Sequence, residues 1–261
     1  MDLRESFAHS RQEILCRHSL FTTCVFALIA SIPCRLGKNM RYGPMPSRRQ
    51  RLKTWYERRV LAGILDGAMA GVQDLRAELL PNACGRVIEI GFGTGANLPY
   101  YGEGLSSLIA VEPSRVLAQI ARERLEQWGR PFELIESSGS RRLPIADASV
   151  DTAILTFVLC SVRRVPELLA ELGRVLKPGG SVVIAEHVAA AKGPQAAAQR
   201  AIRPLWRACL GGCDPARNTL ELLNTAGYDT RELSLRPLGL PWIVRPGLIG
   251  IARSPADHVA T

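Results

Sequence analysis

The stretch VIEIGFGTGANLPYY, residues 87–101, constrains the fold more than any other part of the chain. Four residues with β-branched or acidic side chains, 87–90, run into three glycines, Gly91, Gly93 and Gly95, spaced two apart. β-branched residues favour a strand, and glycines directly after it permit a tight turn through positive φ. Such a turn lies at the carboxyl end of its strand and lets a ligand touch bare backbone. Its N–H groups and the next helix N-terminus favour a polar or anionic group. Glycine loops also arise simply to pack helix on strand. This one meets the dinucleotide fingerprint loosely, with Ala96 in the final place.

Downstream, strands and helices alternate. Apolar positions at helical spacing (Val60, Leu61, Ile64, Met69, Val72, Leu75, Leu79) predict a helix over 58–79. Strands are expected at Arg86–Ile90, Leu108–Val111, Phe132–Ile135, Thr152–Val158 and Ser181–Ala185. Helices are expected over 115–128 and over 165–176, the second stopped by KPGG. Alternation of this kind requires right-handed crossovers and gives an α/β fold whose parallel sheet is covered on both faces. The wholly apolar strands agree, since both of their faces are buried. The tail, TRELSLRPLG then RPGLIGIAR, reads as a pair of strands closing one sheet edge.

The net charge of +9 suggests nucleic acid until it is located. Residues 1–60 carry twelve Lys/Arg against four acids, so the rest of the chain is nearly neutral. The basicity belongs to an arm, residues 1–57, ahead of a catalytic-sized domain at 58–261. No nucleic-acid motif accompanies it, and no nucleic-acid partner is expected. From His18 to Cys34 there is no charged residue, and a dense positive run follows. One reading is a short anchor over 18–34 with the body on the cytoplasmic side. The other is a translation start at Met40 or Met45. Both place the domain in the cytoplasm or at the cytoplasmic face of a membrane. The seven cysteines show no paired CxxC spacing, and Cys209 and Cys213, four apart, do not by spacing alone make a metal site. No metal is expected, a reduced compartment suits the thiols, and the chain is read as a monomer.

After the glycine loop, LIAVEPS brings Glu112 to the tip of the second strand, where a carboxylate can accept from both hydroxyls of a ribose. Together EIGFGTG, AVEPS, LPIADASVD and LGRVLKPGG resemble the class I S-adenosylmethionine-dependent methyltransferases, over roughly residues 80–253. The resemblance implies a Rossmann-like, seven-stranded, mostly parallel sheet whose last strand is antiparallel. It implies S-adenosylmethionine as methyl donor and S-adenosylhomocysteine as product. Glu89 and the glycine loop would face its methionine part and Glu112 its ribose. Where many relatives carry an acid for the adenine, this chain has SSGSRRLP, so adenine would rest on main chain at Ser138, Gly139 and Ser140. A short-chain dehydrogenase would need a Tyr-x-x-x-Lys pair, which is absent at every tyrosine.

FVLCSV (157–162), EHVAA (186–190), the segment 204–228 and WIVRPGLIGIA (242–252) are similar to the vertebrate membrane-associated thiol S-methyltransferases. This resemblance implies a small thiol or sulfide acceptor and raises the weight of the membrane anchor. The alternative acceptor is a lipid, methylated at nitrogen or carbon, and a non-catalytic binding module is the remaining reading. Candidates on the acceptor side leave the tips of the fourth and fifth strands: Cys160, Ser161 and His187. His187 could take a proton, orient the acceptor, or simply bond a neighbouring loop. Cys160 reads better as an apolar wall than as a nucleophile. Asp214 and Arg217 could close a lid, or Asp214 could cap a helix over 216–226. Trp206 and Trp242 are expected in the core.

Overall fold

A computed structural model of the chain describes residues 54, 55, 63, 67 and 71–255. The expected anchor at 18–34 and both alternative starts lie outside the described residues. Among the described residues no helix is long and apolar enough to cross a membrane.

A seven-stranded sheet is ordered β3-β2-β1-β4-β5-β7-β6. Its strands are β1 (Gly85–Ile90), β2 (Leu105–Val111), β3 (Phe132–Ile135), β4 (Val150–Thr156), β5 (Leu176–His187), β6 (Leu233–Pro237) and β7 (Pro246–Arg253). Every pairing is parallel except those of β7, which runs antiparallel to both β5 and β6. The α/β, Rossmann-like architecture expected from the sequence is therefore the one observed. Strand order reverses between β1 and β4, and the loops after these two strands open on the same crevice.

Helices α1 (Gln73–Leu79), α2 (Arg115–Trp128), α3 (Val165–Val175), α4 (Gly193–Cys209) and α5 (Thr219–Thr225) cover the sheet. Two buried clusters form, one on each face. Ile88, Ile90, Leu155 and Ile184 pack with Leu168, Leu169, Leu172 and Leu223, from α3 and α5. Val87, Leu108, Ile154 and Val183 pack with Leu79, Ala121 and Leu125, from α1 and α2. Alternate residues of one strand thus enter opposite cores, the requirement of a doubly covered sheet. Helix α2 starts where the Ser114 hydroxyl accepts from Leu117 N–H and stops at Gly129, φ +71°.

Several boundaries differ from the sequence reading, each for a local reason. Of the helix expected over 58–79, residues 63 and 67 are helical, Gly71 and Val72 form a turn and Gln73–Leu79 is the regular helix α1, while the other positions before Gly71 lie outside the described residues. At the turn the Gly71 carbonyl presses on Gly239, where a Cβ would stand 2.2 Å from its oxygen. The fourth strand ends at Thr156, not Val158, because Phe157 turns to φ +54°. β5 extends beyond Ser181–Ala185 at both ends, because β4 pairs it from Leu176 and β7 pairs it as far as His187. The last helix begins at Thr219 and is capped by Asn218, whose side chain accepts from Glu221 N–H. The reading of Asp214 as the cap is corrected. Trp242 is also no core residue: it sits half exposed in a turn before β7.

Candidate active site

The glycine turn after β1 is built from inside. Gly91, Gly93 and Gly95 all have positive φ, at +69°, +60° and +83°. Their open faces differ. A Cβ on Gly91 would meet Val158 Cγ2 at 2.5 Å, and one on Gly95 would meet Phe92 and Leu98 at 3.0–3.1 Å. A Cβ on Gly93 would meet nothing closer than 3.8 Å. Gly91 and Gly95 are therefore glycines because protein packs on them, whereas Gly93 faces a cleft.

Glu112, buried at the tip of β2, is oriented by two backbone donors. Gly93 N–H gives to Oε2 at 2.9 Å and Ser114 N–H to Oε1 at 2.8 Å. These two donors fix the orientation of the carboxylate at the edge of the cleft. Glu89 is placed differently. It lies 2% exposed beneath the turn and accepts from Asn97 Nδ2 at 2.8 Å and from the Tyr101 hydroxyl. Asn97 also gives to Thr156 Oγ1 at 2.9 Å and accepts from buried Arg76 Nε at 2.6 Å. Burial pushes the Glu89 carboxyl up to about 7, against the lowering by Tyr101 and Asn97.

Gly91, Gly93 and Glu112 line a cleft of about 1190 Å³. Its floor is Ile90, Gly91, Gly93 and Glu112, and one side carries Ser138 and Ser140. Gly139, between them, turns inward at φ +68° onto Ile90 and Leu168. The opposite wall is Phe157, Val158 and Ser161 from the end of β4, with Leu210, Gly211 and Gly212 beyond α4. Phe157 holds an unfavourable backbone conformation for a bulky residue, and strain of this kind concentrates at functional sites.

Behind that wall the chain gathers three residues that are far apart in sequence. Donor atoms of Cys160, His187 and Cys213 all lie within 4.8 Å of one another. His187 Nε2 is 3.0 Å from Cys213 Sγ, and Trp206 Nε1 donates to the same sulfur at 3.3 Å. Hydrogen bonding from Cys160, together with His187, holds the Cys213 thiol down at about 5 despite its burial. Cys160 is pushed well above the usual thiol range by the same bond to Cys213 and by burial. Burial lowers the His187 pKa, but the neighbouring Cys213 more than offsets it, and the net shift is upward. Glu186 braces the cluster, accepting from the backbone N–H groups of Val158 and Leu159, both at 2.7 Å, and of Cys160 at 3.4 Å. Asp214 is gripped by Arg203 and accepts from Ala216 N–H at 3.1 Å. It pins the loop after α4 in place.

Of the candidates read from sequence, the cleft gathers Gly91, Gly93, Glu112, Ser138, Ser140 and Ser161 along its lining. Cys160 and His187 stand behind it, and Glu89, Gly95 and Gly139 support it from beneath. Cys213 and Glu186 were not among the candidates. Nothing in local spacing marks either, because His187, which meets Cys213, and Val158–Cys160, which meet Glu186, are more than twenty residues away.

Against known proteins, residues 88–184 match the family model described as a methyltransferase domain. The chain is 34% identical over 173 residues to thiol S-methyltransferase TMT1B of Rattus norvegicus, covering 64% of this chain and 69% of that protein. The chain belongs to the class I S-adenosylmethionine-dependent methyltransferases. This methyltransferase is also 34% identical over 119 residues to the phosphatidylethanolamine N-methyltransferase of Cereibacter sphaeroides, covering 45% and 58%. An S-adenosylmethionine-dependent methyltransferase of Leishmania major shares the fold, with a TM-score of 0.57 at 15% identity over 77% and 82% of the two chains.

The cleft of the methyltransferase fits that cofactor on its own terms. A space kept open at Gly93, an oriented carboxylate at Glu112 and an apolar floor at Ile90 and Leu117 suit a compact polar group joined to a flat ring system.

Proposed function

We propose that this methyltransferase transfers its methyl group to a small thiol or sulfide. The observation that carries the reading is the extent of the likeness to the rat thiol S-methyltransferase. A match of 173 residues must reach well outside residues 88–184, the portion shared with methyltransferases in general. Part of the acceptor side, His187, α4 and the loop to Asp214, lies outside that portion too, whereas Phe157, Val158, Cys160 and Ser161 lie within it.

In this reading the turn at Gly91–Gly95 takes the methionine part, Glu112 accepts from the ribose hydroxyls, and Ser138–Ser140 lie against adenine. Bound S-adenosylmethionine supplies a methyl group on a sulfonium, already strongly electrophilic. The chain's task is then to hold the acceptor in line at near-contact distance. Positioning of this kind can contribute on the order of 7–11 kcal/mol. Phe157, Val158 and Ser161 form the surface against which an acceptor would be aligned, and water would be displaced from it. Thiolate is the nucleophile, so the acceptor's proton must leave before transfer.

A second reading, a phospholipid amine, is favoured by one feature. Arg141, Arg163, Arg164 and Arg207 all border the cleft, a setting suited to a phosphate. The likeness to the phosphatidylethanolamine N-methyltransferase agrees with it but covers less of the chain.

Incubation of the purified protein with isotope-labelled S-adenosylmethionine and a panel of thiols, amines, phospholipids and quinones separates the two. Methylated thiol, with a rising pH limb of kcat/KM that tracks the solution pKa of each thiol, is the expected result. Turnover of an amine or quinone with no thiol methylated would overturn it.

A further inference from the structure

Cys160, His187 and Cys213 offer two sulfurs and one imidazole nitrogen to a common point. They arrive from three separate places: the turn after β4, the end of β5, and the loop beyond α4. We propose that this cluster is a binding site for a thiolate-preferring d10 cation, zinc(II) in the first instance.

Four observations carry the proposal. The first is geometric. Zinc–sulfur and zinc–nitrogen bonds of about 2.3 and 2.1 Å put two ligands of one tetrahedron roughly 3.6–3.8 Å apart. Donor atoms already within 4.8 Å of one another, with His187 and Cys213 at 3.0 Å, need to shift by about 1 Å to meet that spacing. The second is donor chemistry, since two thiolates and a neutral imidazole balance a divalent charge and select zinc over oxygen-preferring cations. The third is the surrounding scaffold. Trp206 Nε1–H points at the Cys213 sulfur, and Glu186 fixes the backbone at Cys160, the kind of outer support that orients metal ligands. The fourth is burial: Cys160 is 2% and His187 3% exposed, so a cation here would be shielded from solvent competition. Three protein donors is the number found in zinc sites that keep one position for a small ligand. Ser161 and Gly212, the immediate neighbours of two of the ligands, line the cleft.

The proton balance is definite. With one proton shared between Cys213 and His187 and one on Cys160, binding Zn2+ leaves both sulfurs as thiolates and His187 neutral. Two protons are released to solvent per cation bound.

The test uses the full chain, reduced and stripped of metal with a chelator. Titration with Co2+ should give a thiolate-to-cobalt charge-transfer band that saturates at one equivalent and is displaced by Zn2+. Bound zinc should protect two thiols from alkylation, and a weakly buffered titration should show two protons released. A variant with the other five cysteines changed to serine should keep the band. Cys160→Ser and Cys213→Ser should each weaken zinc binding by more than the roughly 10–100-fold that loss of a supporting partner costs. Calorimetry with S-adenosylmethionine checks that these two variants remain folded. The proposal is overturned by absence of the band in the wild-type chain, by its loss from the variant that keeps only Cys160 and Cys213 while that variant still binds cofactor, or by its survival in Cys160→Ser and Cys213→Ser. A Cys160–Cys213 disulfide that persists under reductant and excludes metal would overturn it as well. None of these readouts depends on which acceptor is methylated, so failure here leaves the thiol reading untouched.

Discussion

In the proposed reading cofactor binding turns on Gly93 and Glu112, whose surroundings differ from those of their neighbours. Gly91 and Gly95 cannot report on a ligand, because a side chain at either would first strike Val158, Phe92 or Leu98. Gly93 can. Gly93→Val should cost the fold only about 1–2 kcal/mol for a left-handed non-glycine residue. The same substitution should abolish S-adenosylmethionine binding by calorimetry, because its side chain enters open space on the cleft floor. A folded variant with undiminished affinity would remove this turn from the site. Glu112→Ala should weaken binding by about 1.5–3 kcal/mol, the worth of hydrogen bonds to a charged acceptor. A loss of only a few tenths would mean that Glu112 merely orders Gly93 and Ser114.

At the scale of elements, the network under the glycine turn ties α1, β1, β4 and the turn itself into one unit through Arg76, Glu89, Asn97, Tyr101 and Thr156. The pH dependence of stability should reveal it. A carboxyl whose folded pKa, about 7, lies above its ordinary value of 4.5 binds protons better in the folded state. Its contribution is therefore whole below about 4.5 and is lost as pH rises through about 7. Glu89→Gln cannot titrate. Whatever its stability at low pH, it should gain on the wild-type chain across that window by up to about 3 kcal/mol. Glu186 titrates in the same range but is common to both proteins and cancels in the comparison. Parallel denaturant midpoints from pH 4 to 8 for the two chains would show that Glu89 is not the group responsible.

For the whole molecule, the open question is what residues 1–57 add to a domain that already contains the cleft. Apart from residues 54 and 55, their basic, partly apolar sequence lies outside the described residues. Deleting residues 1–39 should leave methyl transfer within about twofold, since the catalytic elements are held by their own core. If the anchor reading is right, the deletion should also move a membrane-bound fraction into the soluble one. A folded but inactive truncated chain would make the arm part of the site. A full-length chain that never sediments with membranes would end the anchor reading.

The sequence alone determined the architecture, the cofactor and the floor of the cleft, for a reason of range. Alternating periodicities, helix stops and the Gly91–Gly95 turn are local patterns, and Glu112 follows its strand by a fixed offset. The acceptor side was legible only as residue types. Cys160, His187 and Cys213 stand far apart in the chain, and Cys213 looked like one half of an i, i+4 pair with Cys209. Sheet order and the Arg203–Asp214 contact decided otherwise, turning Cys213 to His187 and leaving Cys209 exposed. Glu89 shows the same limit from the other direction. The family resemblance implied that it faces the methionine part of the cofactor, and only the tertiary structure shows its partners Asn97 and Tyr101, which a buried carboxyl needs inside the protein.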